Sequence, residues 1–188
     1  MFLKDFTRTA TPHSFRPVLP ALAATGLTCA TLVETAEAWQ PAGDLRIGAR
    51  VQTLDGGLAT VRGIERTPAT GLPAVRLAGG LVGNCADLVL PRGQLMLVDT
   101  LGDSALPDRD WVLVPAAAWL GLPGAAETLI QDTLVTPLFA DEEVIWANSG
   151  VLLHCPAIAG THMEDSFFPT LPLPQARAFL TRRWARLA

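Results

Sequence analysis

Residues 26–58 read Gly26-Leu27-Thr28-Cys29-Ala30-Thr31-Leu32-Val33-Glu34-Thr35, then Trp39, then Asp44-Leu45-Arg46-Ile47-Gly48-Ala49-Arg50-Val51-Gln52-Thr53-Leu54-Asp55-Gly56-Gly57-Leu58. Two short β-runs are legible, over 30–35 and 49–54, each mixing apolar residues with strand-tolerant threonines. Trp39 falls at a turn or edge between them. Asp55-Gly56-Gly57 supplies the positive-φ positions of a tight hairpin turn. Leu58 to Arg66 is therefore expected to return as the partner strand, with Val61 and Ile64 inward.

Outward from this stretch the pattern stays β-rich. Strands are expected at 73–77, 87–90, 94–99 and 111–114, with one or two more over 129–139. A closing hairpin is expected from Glu143–Ala147 and Val151–His154 around Asn148-Ser149-Gly150. Pro115 to Leu120 fits a short helix, with proline at its first position and Gly121 as its stop. The C-terminus changes character. Ala176, Phe179, Leu180, Trp184 and Leu187 make one apolar face of a helix over 174–187, a lid for the β-body. Residues 1–23, with Pro12, Pro17 and Pro20, read as an arm. The domain body spans 24–160, and 161–188 form a loop and the helix. The fold class is all-β, and no internal repeat is evident.

Composition bounds the function. A chain of 188 residues with 49% apolar and 17% charged residues suits one core-rich domain. The net charge of −4 is uneven. Lys4, Arg8 and Arg16 mark the N-terminal arm and Arg177, Arg182, Arg183 and Arg186 the C-terminal helix, while the middle is strongly acidic. An acidic body disfavours nucleic-acid binding, and its basic ends are expected to dock on it. Asp103, Asp108 and Asp110 read as a solvated acidic loop without calcium-loop spacing. No apolar run is long enough for a membrane span. Val18 to Ala30, with Ala36-Glu37-Ala38 after it, has some signal-peptide character, but Pro17 and Pro20 interrupt it. Cleavage after Ala38 would remove the first β-run, so a cytoplasmic protein is expected. Cys29, Cys85 and Cys155 form no CxxC pair and are expected as buried, apolar-like residues. His162, Glu164 and Asp165 near His154 match no metal-binding spacing, and no cofactor or metal is expected. A phosphate loop, a G-x-S-x-G elbow and a zinc motif are all missing.

The order of these features resembles a Hint domain, the hedgehog/intein autoprocessing fold, and most of all the bacterial Hint proteins outside true inteins. Ala30-Thr31-Leu32-Val33-Glu34-Thr35 stands where the family has Gly-Thr-x-Ile/Val-x-Thr. Asp44 to Val51, Asp87 to Val98, Trp111-Val112-Leu113-Val114-Pro115-Ala116 and Glu143-Val144-Ile145-Trp146-Ala147-Asn148 resemble its later blocks. The resemblance spans about 26–155 and implies a horseshoe-like disc of short strands and hairpins. It also implies a chemistry: an N-terminal Cys or Ser attacks the preceding carbonyl, a mid-domain His protonates the leaving amide nitrogen, and a second nucleophile resolves the ester.

Against that pattern, counting back from Thr31 reaches Gly26 at the nucleophile position, and the mid-domain histidine position holds Gln94 or Leu95. Glutamine can hydrogen-bond an amide but cannot transfer a proton near neutral pH. His154-Cys155 stands loosely where an intein ends in His-Asn. Two readings follow. In one, the chain has lost self-cleavage and acts as a binding or structural module, with a protein partner of unknown identity. In the other, Cys29 is the nucleophile of an active self-cleaving domain, assisted by His154.

Overall fold

The computed structural model describes residues 24–55, 57–106, 109–159 and 166–187. The expected arm over 1–23 lies outside them, as do Gly56, Asp108, His162, Glu164 and Asp165. The strands are β1 (Leu27–Thr28), β2 (Leu32–Glu34), β3 (Trp39–Pro41), β4 (Arg50–Gln52), β5 (Leu58–Thr60), β6 (Gly63–Pro68), β7 (Pro73–Leu77), β8 (Leu88–Pro91), β9 (Leu95–Asp99), β10 (Trp111–Pro115), β11 (Ala125–Leu129), β12 (Thr133–Leu138), β13 (Glu143–Ala147) and β14 (Val151–Cys155). One α-helix, α1 (Leu173–Leu187), follows them. The all-β reading with a C-terminal helix holds.

The widest sheet is six-stranded and antiparallel, ordered β10-β9-β14-β13-β2-β3. Two three-stranded sheets, β1-β12-β6 and β11-β7-β8, and the β4-β5 hairpin complete the body. The β13–β14 hairpin turns at Asn148 and Ser149, both at positive φ, as short polar side chains tolerate. Asn148 also stitches sheets and loops together. Its Oδ1 accepts the Leu32 N–H at 2.9 Å, and its carbonyl accepts the Cys85 N–H at 2.9 Å. Gly150 lies so close to Gly83 that a Cβ would come within 2.5 Å of the Gly83 oxygen. This backbone approach seats the hairpin against the 81–83 loop.

Three sequence expectations are corrected. Leu58 to Arg66 is not one strand. β5 pairs with β4 for three residues, after which the chain leaves the hairpin and β6 pairs with β12. Val61 is fully buried at this switch, and Ile64 is half-buried opposite Pro137. Alternation shows which side of a strand faces inward, but not its partner. Cys85 is exposed, whereas Cys155 is buried and Cys29 intermediate. The acidic loop is not simply solvated, because Asp103 is buried.

Asp103 is buried because α1 docks there. Ala176, Phe179 and Leu180 are fully buried under the helix. Arg182 and Arg186 reach the Asp103 carboxylate at 3.0 and 3.4 Å. Arg183 makes a two-pronged pair with Asp99 at 2.7 and 3.0 Å and also donates to the Asp99 carbonyl. The Ala105 N–H, then Arg182 and Arg186, hold the Asp103 carboxyl below its usual value against the opposing effect of burial. The basic C-terminus thus docks on the acidic body through its arginines. Just before the helix, Leu113 bonds Pro169 and Leu171, so this segment covers the outer edge of β10.

Candidate functional site

Gly26 enters β1 at φ +121°, a conformation L side chains rarely adopt. A Cβ built there would lie 2.8 Å from the Thr136 hydroxyl and 3.3 Å from the Leu134 Cβ on the neighbouring β12. Its N–H, the nitrogen of the Thr25–Gly26 amide, donates to Gln94 Oε1 at 2.7 Å. Gln94 is fully buried between β8 and β9. Both of its amide protons are committed as well: Nε2 donates to the carbonyls of Leu95 at 3.0 Å and His154 at 2.9 Å. The Gln94 backbone is held as well, by the Pro91 carbonyl and the Ala116 N–H. Four segments far apart in sequence therefore meet around one small cavity of about 110 Å³. Gly26, Gln94, His154 and Cys155 line it together with Thr136.

The ionisable groups here are quiet at neutral pH. Burial pushes the Cys155 thiol far up, with a smaller contribution from the Glu143 carboxylate, so it stays protonated. The His154 side chain is almost buried, and burial holds its pKa below the usual value, only partly offset by Glu142. The imidazole is then neutral at pH 7. The 3.6 Å separation of His154 Nε2 from Glu142 Oε2 is longer than a good hydrogen bond, and neither atom has a partner among the described residues. Glu142 spends its other oxygen on the Ser166 hydroxyl and the Phe167 N–H.

Cys29 lies outside this cavity, in the turn between β1 and β2. Its carbonyl accepts the Gly43 N–H at 3.0 Å, and its thiol donates to the Thr133 carbonyl at 3.4 Å. Burial, then the Asp132 carboxylate, raises its pKa, with Arg66 opposing weakly. No hydrogen bond joins Cys29 to His154. Among the described residues no group of histidines, cysteines and carboxylates could hold a metal ion. Thr136 and Glu142 were not singled out by the sequence. Each reaches the site only by strand pairing or side-chain reach across the fold.

Comparison with solved structures decides the architecture. The chain is similar to a bacterial intein-like domain from Clostridium thermocellum, with 12% identity and a TM-score of 0.51 over 70% of this chain and 99% of that one. This is the Hint fold. It is also similar to the gp41-1 intein, at 9% identity and a TM-score of 0.44 over 69% of this chain and 98% of that chain. The MchDnaB-1 intein matches at 13% identity and 0.44, over 68% and 98%. No protein-family model and no curated protein matches the sequence. Within this Hint fold, the amide that the sequence resemblance marks as the reacting one, Thr25–Gly26, is held by glutamine. Among the described residues no helix is long and apolar enough to cross a membrane.

Proposed function

We propose that this chain is a Hint-fold protein that does not cleave itself and serves as a binding or structural module on that scaffold. One observation carries the reading: the Gly26 N–H donates to a buried Gln94 whose own amide protons are both bonded elsewhere, with no room for a side chain at Gly26. An N-to-S or N-to-O acyl shift needs a nucleophile poised about 3–3.5 Å from the carbonyl and a proton for the leaving nitrogen. Glycine supplies no nucleophile. Gln94 fills the hydrogen-bonding role at the amide nitrogen but has no proton to give near neutral pH. Cys155 lines the cavity as a protonated thiol, a poor nucleophile. A cytoplasmic location belongs to the same proposal, and the exposed free thiol of Cys85 suits a reducing compartment.

The test is mass spectrometry of the purified chain incubated with and without dithiothreitol. The reading expects an intact 20.0 kDa species in both. A thiol-dependent break between residues 25 and 29, abolished by Cys29→Ala, would overturn it in favour of an acyl shift at Cys29 assisted by His154.

A further inference from the structure

The outer edge of β6 is open. β6 ends the β1-β12-β6 sheet and pairs with β12 alone. In that register the Ala69 N–H bonds the Asp132 carbonyl. Alternation then turns the backbones of Thr67 and Glu65 toward β12 and those of Ile64 and Arg66 outward. Pro137, which has no N–H to give, falls opposite Ile64 at a non-bonded pair, as this phase requires. Among the described residues the outward N–H and carbonyl groups of Ile64 and Arg66 have no partner. Pro68 closes the strand, so the open edge is short. An open groove of about 610 Å³ lies beside it, lined by Ile64 and Arg66 and, from the segment after β3, by Gly43, Leu45, Arg46 and Ile47. Arg46 and Arg66 both donate to the Gly43 carbonyl, at 3.4 and 3.1 Å, so their donating nitrogens lie no more than 6.5 Å apart. Neither arginine pairs with a carboxylate among the described residues. Ile47, on the same groove, is 69% exposed.

We propose that the β6 edge takes up an extended acidic peptide segment as an added antiparallel strand, with a carboxylate held by Arg46 and Arg66. The unpaired backbone groups of Ile64 and Arg66 supply main-chain hydrogen bonds, and alternate side chains of the incoming strand supply the selectivity. Ile64 and Arg66 are two apart and share one face, the face on which Arg66 reaches Gly43. Glu65 lies on the other face and does not oppose an acid there. A residue opposite Arg66 meets two unpaired guanidinium groups, so it is acidic. The residue two positions on lies opposite Ile64, near the exposed Ile47, so it is apolar. Two unpaired like charges this close also repel each other, and a bound carboxylate relieves that repulsion. The partner is therefore an extended segment with an acidic and an apolar residue two positions apart. The proposal names partner chemistry for the binding role inferred above and rests on it, but the groove does not include Gly26 or Gln94.

The probe is a capped peptide of about seven residues carrying a neutral coumarin label, with glutamate at its third position, valine at its fifth and threonine elsewhere. It is titrated with the full chain and followed by fluorescence anisotropy. Saturable binding is expected. The same peptide with glutamine for glutamate is expected to bind about fivefold more weakly. Arg66→Gln is expected to weaken the glutamate peptide by a similar factor and leave the glutamine peptide unchanged. Arg66 is exposed, so the melting curve is expected to be retained. N-methylation separates strand addition from charge attraction alone. Methylating the valine nitrogen, which faces β6 in the added strand, is expected to weaken binding about tenfold. Methylating the threonine nitrogen before it, which faces solvent, is expected to change little. Absence of saturable binding would overturn the proposal, as would equal affinity for the glutamate and glutamine peptides or for the two methylated ones. The mass spectrum reports separately. An intact chain that takes up no peptide sinks this inference and leaves the non-cleaving reading standing, and a cleaved chain that binds the peptide does the reverse.

Discussion

Two cavities in one Hint fold make a useful contrast. The smaller, around Gly26, sits where the fold's usual reaction would occur, and its polar groups are nearly all committed. Gln94 uses its carbonyl oxygen and both amide protons, and the Cys155 thiol is held protonated. The larger, under α1, lies away from that centre. Trp111, Trp119, Trp146 and Trp184 line it with mostly aliphatic neighbours. The first is lined by committed polar groups, the second mainly by tryptophan and aliphatic side chains around one internal ion pair. The lesson is that the place where a fold's reaction is expected and the place where the fold leaves open space can differ. The resemblance of a fold points to the first place only.

The strongest way to break this contrast is to restore a nucleophile. Gly26→Cys puts a Cβ against Thr136 at an unfavourable φ, and the expected cost is about 2–4 kcal/mol in urea unfolding. The variant is expected to remain uncleaved, because Gln94 still holds the amide. Next, Gln94→Leu strands the Gly26 N–H and the His154 carbonyl in the interior. It is expected to cost about 2–3 kcal/mol by the same measurement.

The two variants also bear on what the sequence made legible. Counting back from Thr31 pointed to Gly26 as the nucleophile position, the motif order left Gln94 or Leu95 at the histidine position, and His154-Cys155 stood loosely at the closing end. Those assignments were possible because the family's motif order fixes register along each strand. Partners across the fold were less readable. Val61 and Ile64 alternate correctly, yet β6 leaves β4 for β12. β11, over Ala125-Ala126-Glu127-Thr128-Leu129, carries residues that favour strands poorly, and pairing with β7 makes it a strand. Asp103 looked solvated because an aspartate in a loop usually is. Its partners, Arg182 and Arg186, lie on a helix far along the chain. The tryptophan cavity had no signal at all, since Trp111, Trp119, Trp146 and Trp184 share no spacing.

A smaller effect sharpens the second cavity. Arg183→Met removes the pair with Asp99 and three hydrogen bonds at the cavity wall. Partial exposure of Asp99 screens the pair, so the expected cost is about 1–2 kcal/mol in urea unfolding, with α1 loosened.

The smallest effect is in pH. His154 has a folded pKa below its ordinary 6.5, so its contribution to stability is intact above that value. It is lost as the pH falls below 6.5, where the unfolded chain takes a proton that the folded site resists. The Asp103 carboxyl is depressed below 3.8, and its contribution is lost only as the pH falls through still lower values. Melting temperature is expected to fall first below pH 6.5, and His154→Gln is expected to flatten that first step. An unchanged first step in the variant would assign it to another group.

The central claim is that the Thr25–Gly26 amide is held but not broken. Hydroxylamine traps a thioester or ester as a hydroxamate, so the full chain incubated with it and followed by intact-mass spectrometry tests the claim most directly. The expected spectrum is one species at 20.0 kDa throughout. A growing fragment ending in a hydroxamate at Thr25 or Thr28 would contradict it.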